Sequence, residues 1–173
     1  MTEMRIEIAR PGDAAEAASL VRDISRATYE DAGEDVRRWA QTMSDAGIWD
    51  ERIKRPGSVV LAARNAGDIV GVVWVACLEP GRTYAADGYL GGLYVALPGR
   101  GIGRSLVCHA ERHAALSGCR ALLAEALHGG AGHRMLCRMG WRERGRHAGR
   151  IVAGPVWVEL VRELDLTHAD DGV

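Results

Sequence analysis

The residues best suited to chemistry lie in one stretch, Gly88–Val107, which reads GYLGGLYVALPGRGIGRSLV. Gly99, Gly101 and Gly103 sit between an apolar, strand-like run and an amphipathic one, with Arg100 and Arg104 flanking the turn. The first turn of a helix leaves backbone N–H groups without partners, and the helix dipole adds partial positive charge there. Glycine, lacking a Cβ, lets such a backbone curl close to a phosphate. The combination predicts an anion cradle sized for a phosphate or pyrophosphate. The plainer alternative is a strand–turn–helix joint whose glycines only make the turn. The strand before it, the two arginines and the amphipathic helix after it all agree on the cradle.

A second group with chemical promise is Glu125, a lone carboxylate in the apolar run ALLAEAL. A carboxylate in such surroundings is often functional, the alternative being a salt-bridged strand residue. His109 and His113 stand four apart beside Cys108, which is half of a metal site, but Glu111 is central in HAERH and no HExxH results. No metal is assigned. Cys77, Cys108, Cys119 and Cys137 have no CxxC spacing and read as four reduced thiols.

The type of phosphate ligand is narrowed by spacing. A P-loop needs GxxxxGK[ST], and the only lysine, Lys54, is remote. A dinucleotide fingerprint needs GxGxxG after a first strand, a spacing that Gly99, Gly101 and Gly103 do not satisfy. Glu125 does fall about where a ribose-binding acid would stand, so an NAD(P)-dependent oxidoreductase remains an alternative.

Alternation at Arg5–Ala9 predicts a strand, and Asp13 after Pro11-Gly12 can cap a helix running from Ala14 to about Tyr29. Further helical stretches cover about Glu34–Met43 and Ile48–Lys54. Two β-branched runs, Ser58–Arg64 and Ile69–Leu78, joined by Asn65-Ala66-Gly67-Asp68, read as a hairpin. Gly88–Val95 is the next strand, and the pair Gly91-Gly92 in its middle suggests a bulge or the close approach of a ligand. A helix over Ile102–Ser117, a strand over Arg120–Leu127, a short helix over His133–Met139 and closing strands at Trp141–His147 and Val156–Leu164 complete a mixed α/β chain.

The bulk properties bound the rest. A chain of 173 residues, 47% hydrophobic and 26% charged, fits one globular domain, expected over 1–166 with a frayed tail at 167–173. A formal charge of −1 and the lack of any Lys/Arg block give no support to a nucleic-acid partner. No apolar stretch is long enough for a membrane helix and MTEMRIEIAR has no signal-peptide core, so a cytoplasmic location is expected.

Residues LYVALPGRGIGRSLV resemble the coenzyme-A arm of the GNAT N-acetyltransferases, where a strand ends in a Leu-x-Val type triplet and Gln/Arg-x-x-Gly-x-Gly/Ala opens a helix. Arg100-Gly101-Ile102-Gly103-Arg104-Ser105 fits that pattern with Ser in the last small position. A second alignment sets Gly101-Ile102-Gly103 on the final Gly-x-Gly. Both place a pyrophosphate on the same backbone. The element order over about Arg5–Leu164 is also that of the family.

The resemblance implies a GNAT fold: a central mixed, mostly antiparallel sheet, splayed parallel fourth and fifth strands, and helices on both faces. It implies acetyl-CoA as cofactor, with Leu93, Tyr94 and Val95 along the pantetheine, the Val95 N–H donating to the thioester oxygen, and residues Arg100, Gly101, Ile102, Gly103, Arg104 and Ser105 on the pyrophosphate. The acceptor would be a primary amine of a small molecule: an antibiotic, polyamine, amino acid or peptide N-terminus. Tyr29 and Tyr89 are its expected contacts, with Tyr84 near the same side, and Glu125 the general base that takes its proton, with Asp87 and Glu79 as weaker alternatives. The tyrosine that often protonates the departing thiol is replaced by Leu136, and the Asn that often precedes it by Gly129; His133 and Cys137 are the substitutes at hand. That departure motivates a second alternative, a CoA-binding sensor without catalysis. Dimers are common in the family.

Overall fold

The computed structural model describes residues 4–30, 33–77, 86–148 and 156–165. The strands are β1 (Arg5–Ile8), β2 (Ser58–Asn65), β3 (Asp68–Cys77), β4 (Gly88–Val95), β5 (Ala121–Leu127), β6 (Arg142–Ala148) and β7 (Val156–Glu163). The helices are α1 (Ala14–Tyr29), α2 (Glu34–Met43), α3 (Ala46–Lys54), α4 (Ile102–Leu116) and α5 (Ala131–Arg138). One seven-stranded sheet has the order β1-β2-β3-β4-β5-β7-β6, antiparallel except for the parallel pair β4–β5.

Each face of the sheet has its own core. Val73, Val75, Leu90, Leu122, Val158 and Leu160 pack beneath Ile102, Leu106 and Ala110 of α4 and Leu136 of α5. Val60, Ala62, Val72 and Tyr94 pack beneath Ala17, Ala18 and Val21 of α1 and Trp49 of α3. The apolar positions of α1 and α4 recur at three- and four-residue intervals, which turns one stripe of each helix to the sheet. The sheet is thereby covered on both sides over its middle strands, which are continuous apolar runs for that reason.

Several local expectations are corrected. Asp13 makes no side-chain cap on α1; its carboxylate accepts from the Arg10 N–H at 2.8 Å and pairs with Arg64 at 2.6 Å. Burial pushes the Asp13 carboxyl up, but the Arg10 amide and the Arg64 guanidinium outweigh it and hold the group below its usual value. The third helix begins two residues before Ile48, because the Asp45 side chain caps it by accepting from the Gly47 N–H. The fifth begins at Ala131 rather than His133. The expected tail at 167–173 lies outside the described residues.

Candidate active site

β4 and β5 pair only at Gly88↔Leu122, Tyr89↔Leu123 and Leu90↔Ala124. Beyond these positions the two strands part. The parting has a local cause in the sequence. Trp74 of β3 lies opposite Gly91 and Val72 opposite Tyr94, so β4 carries one extra residue between them. Gly92 adopts φ +59, a left-handed conformation that β-branched or bulky residues avoid, and a Cβ there would meet Arg52 and Trp49 at 3.1 Å. The bulge bends β4 away from its parallel neighbour.

The Ala96 N–H donates to the Val70 carbonyl, toward β3. Successive N–H groups of a strand point to opposite sides, so the Val95 N–H points to the opposite flank, into the gap. The cleft so formed has a volume of about 370 Å³ and is lined by β4 from Tyr89 to Val95, by Glu125, by Leu136 and by aromatic side chains including Tyr29, Trp39 and Trp74.

At the end of β4 the chain turns through Gly99 (φ +80) and Gly101 (φ +77), both left-handed, and Gly101 is the N-cap of α4. Nothing stands within 4 Å of where a Cβ on Gly99 or Gly101 would lie, so the space in front of the helix start is open. The first amides of α4 have no side-chain cap, and no acidic residue sits in that turn. Arg100 and Arg104 are exposed. Gly103 differs: a Cβ there would meet Met135 Sδ at 3.2 Å and Val95 Cγ2 at 3.6 Å. Its small size serves the packing of α4 on α5 rather than the approach of a ligand.

Glu125 stands half-buried on β5 directly opposite Glu159 of β7, and its Oε2 lies 3.5 Å from the Tyr89 hydroxyl, the outer limit of a hydrogen bond. Directly opposed residues share a face of the sheet. Glu159, to which the sequence alone drew no attention, pairs with Arg144 at 3.6 Å, and His147 Nε2 lies 3.7 Å from it. Tyr89 in turn packs on Trp74, with ring centroids 5.6 Å apart. Arg52 stacks between Trp49 and Trp74, at 5.0 and 4.6 Å from their ring centroids. Burial lowers the pKa of that guanidinium. Tyr29 lines the cleft, edge-on to Trp39, which meets Trp157 in the same way. Burial raises the Tyr29 hydroxyl pKa.

Three other expected groups stand differently. Asp87, the weaker candidate for a base, is committed elsewhere: its Oδ1 accepts from the Arg120 and Ala121 N–H groups at 3.0 and 2.8 Å and ties the start of β4 to that of β5. Burial pushes its carboxyl up, but these amides and the Arg120 guanidinium hold it below the usual range. Buried His133 borders the cleft, yet both ring nitrogens are engaged. Nδ1 accepts from the Gly129 N–H at 3.0 Å, so Nε2 carries the proton and donates to Glu143 Oε1 at 2.8 Å. Cys137 is exposed on α5 and does not line the cleft, whereas Leu136 does. Glu79 and Tyr84 lie outside the described residues.

His133, Cys137 and Glu143 offer three ligand atoms within 4.8 Å of one another. A metal at Nε2 would require the proton on Nδ1, which here accepts a hydrogen bond, and Glu143 also receives Arg146 at 2.9 Å. The cluster is built as a hydrogen-bond network. Among the described residues no helix is long and apolar enough to cross a membrane.

Comparison with known proteins agrees with this architecture. No curated protein sequence matches. The fold is shared over nearly the whole chain with solved structures. The PaiA N-acetyltransferase from Thermoplasma acidophilum, solved in complex with coenzyme A, superposes with TM-score 0.76 at 14% identity, covering 93% of this chain and 99% of that one. YncA from Salmonella typhimurium, a putative acetyltransferase solved with acetyl-CoA, gives 0.72 at 18% identity, covering 98% and 99%. The ribosomal-protein-alanine N-acetyltransferase from Brucella melitensis gives 0.73 at 23% identity, covering 92% and 99%. The acetyltransferase (GNAT) family model matches residues 19–141, which take in the cleft, the glycine turn and all of α4, and the chain therefore belongs to the GNAT acetyltransferase family.

Proposed function

We propose that this protein transfers the acetyl group of acetyl-CoA to a primary amine of a small molecule in the cytoplasm. The observation that supports this most directly is the parting of β4 from β5 beyond Leu90 and Ala124, which turns the Val95 N–H into a cleft beside the open start of α4.

The residues present suit acetyl-CoA. The uncapped first-turn amides of Ile102, Gly103 and Arg104, the open space at Gly101 and the guanidinium groups of Arg100 and Arg104 would hold the pyrophosphate, while the Ser105 N–H already donates to the Gly101 carbonyl at 3.0 Å. The unpaired flank of Leu93, Tyr94 and Val95 would accept the pantetheine as an added strand. The bound cofactor supplies an acetyl thioester, the acylating group for the amine. The Val95 N–H is placed to stabilise negative charge on the thioester oxygen.

An alkylamine has a pKa of about 10, so at neutral pH nearly all of it is protonated and not nucleophilic. Glu125 stands in the cleft wall with Tyr89 beside it and can take that proton directly or through a water. Tyr29 and Tyr89 contact the acceptor. The residues that stand in for the missing tyrosine do not supply the acid: His133 donates to Glu143, Cys137 lies outside the cleft and Leu136 carries no proton. A thiol with a parent pKa of about 8.5 leaves tolerably as thiolate and takes its proton from water.

Two measurements test the proposal. Coenzyme A is expected to raise the melting temperature, increasing with the logarithm of its concentration above Kd, and NAD(P) is not. Thiol release from acetyl-CoA with a panel of amines is expected to exceed hydrolysis for at least one acceptor. Stabilisation by coenzyme A with no amine-dependent release would overturn the enzymatic reading in favour of a sensor; no stabilisation would overturn both.

A further inference from the structure

A second hollow adjoins the cleft at Tyr29, which lines both. It is formed between α1 and α2, has a volume of about 580 Å³, and is lined by Arg22, Ser25, Arg26, Tyr29, Arg37 and Gln41 among others. Arg22, Arg26 and Tyr29 stand four and then three residues apart along α1 and so share one face, while Arg37 reaches in from α2. Two carboxylates, Glu30 and Asp45, border the same space. Asp45 is occupied as the cap of α3, accepting from the Gly47 N–H at 2.6 Å.

Ser25 gives this hollow a further property. Its side chain is buried, with the residue only 4% exposed, and its hydroxyl has no hydrogen-bond partner. Thr28 and Thr42 on the same two helices, and Ser44 at the end of α2, each donate to the carbonyl four residues earlier. Ser25 forgoes that bond. A buried hydroxyl without a partner costs stability unless something else satisfies it. Here the hydroxyl belongs to the wall of a hollow that three guanidinium groups also border, and guanidinium forks match the oxygens of carboxylates and phosphates.

Tyr29 lines both spaces, so the hollow adjoins the cleft at this residue. We propose that the hollow receives a carboxylate or phosphate carried by the acceptor, so that the preferred substrates are amines bearing an anionic group at the end remote from the reacting nitrogen. The inference rests on the acetyl-transfer reading above. The anion accepts from Arg22, Arg26 and Ser25, and the amine end lies toward Glu125.

Binding is tested first and without turnover. The full chain saturated with coenzyme A is titrated with inorganic phosphate and separately with glutarate, following tryptophan fluorescence, since Trp39 packs 5.9 Å from Tyr29. At least one anion is expected to bind saturably, and its Kd is expected to rise roughly tenfold or more in the R22A/R26A variant. The arm that saturates distinguishes carboxylate from phosphate. Arg22 and Arg26 are exposed, so the variant is expected to keep the wild-type melting temperature. Ser25→Ala is expected to weaken the same anion several-fold without unfolding, because it removes an unsatisfied hydroxyl.

Turnover is then compared for hexylamine, 6-aminohexanoate and the phosphate monoester of 6-aminohexanol. The anionic acceptors are expected to have kcat/KM roughly tenfold or more above the plain amine in the wild type. R22A/R26A is expected to abolish that preference with the hexylamine rate and acetyl-CoA KM unchanged. No saturable anion binding, or binding indifferent to R22A/R26A, overturns the site. Transfer to amines without any preference for the anionic members overturns its link to the acceptor. Anion binding lost in the variant, in a protein that transfers acetyl to no amine, overturns the acetyl-transfer reading instead and leaves the anion site standing.

Discussion

Leu90 and Tyr94 stand four residues apart on one strand, yet Leu90 is buried beneath α4 and Tyr94 beneath α1 and α3. Side chains an even number apart on a strand share a face unless a residue is inserted between them. The extra residue at the Gly91–Leu93 bulge is that insertion. It does two things at once: it sends Tyr94 to the core on the far face, and it opens β4 from β5.

Gly92 is therefore expected to tolerate no side chain. A Cβ would come within 3.1 Å of both Arg52 and Trp49, in a backbone conformation that disfavours anything but glycine. Trp49 is fully buried and Arg52 is held between two rings, so neither neighbour has room to give. Gly92→Val is expected to lose roughly 1–3 kcal/mol of stability from strain and overpacking. Urea unfolding monitored by tryptophan fluorescence measures it. An unchanged midpoint would mean that the bulge relaxes freely and does not set the cleft.

The glycines of the turn should separate by experiment. A side chain at Gly101 meets no neighbour but must adopt φ +77 in the space before α4. Gly101→Val is expected to weaken coenzyme A binding roughly tenfold or more, with only the roughly 1–2 kcal/mol stability loss of a left-handed non-glycine residue. Gly103→Val instead meets Met135 and Val95, and is expected to lower the melting temperature as well as the affinity. Calorimetric binding alongside thermal unfolding distinguishes the two outcomes. Equal affinity losses with equal destabilisation would refute the different roles.

The contrast shows what the sequence makes legible. The turn itself was readable, because glycines at fixed offsets before an amphipathic helix have a local meaning. So were most elements, and the suspicion of a bulge at Gly91-Gly92. The partner of each residue across the sheet was not. That Gly103 faces Met135, that Glu125 lies opposite Glu159, and that Arg52 stacks between Trp49 and Trp74 are consequences of register and packing between distant segments. The same holds for the free thiols of Cys77 and Cys119, which spacing keeps apart but which approach to 2.9 Å; burial and the neighbouring thiol push Cys119 up to about 12. Asp87 is the plainest case. By type alone it stands as a weaker candidate for the base, and only the pairing of β4 with β5 reveals it as a staple.

Asp87 makes a pH prediction. Its folded pKa lies below the ordinary carboxylate value because the Ala121 and Arg120 amides and the Arg120 side chain outweigh burial. A depressed folded pKa contributes stability above the unfolded value of about 4, and that contribution is lost as pH falls through the folded value. Asp87→Asn is expected to cost roughly 1–3 kcal/mol at pH 7, as for hydrogen bonds to a charged group. The gap between wild type and variant should close as pH drops below about 4. Chemical denaturation of both proteins from pH 7 to pH 3 checks this. A gap that is constant across the range would show that the carboxylate charge is irrelevant to the staple.

Glu125 offers the sharpest test of the chemistry. It lines the cleft, touches the Tyr89 hydroxyl at the limit of bonding distance, and faces Glu159, which pairs with Arg144. Removing a general base costs typically 10²–10⁴ in rate. Glu125→Gln keeps the shape and removes the proton acceptor, so kcat is expected to fall by roughly that factor while the acetyl-CoA KM stays close to wild type. The acidic limb of the pH–rate profile should vanish with it, and high pH should partly restore the rate, because the amine then loses its proton unaided. Glu159→Gln serves as the control: it removes a carboxylate from the same face with Glu125 intact, and the acidic limb should survive. If Glu125→Gln turns over at the wild-type rate, or if the limb disappears only in Glu159→Gln, the base is not Glu125.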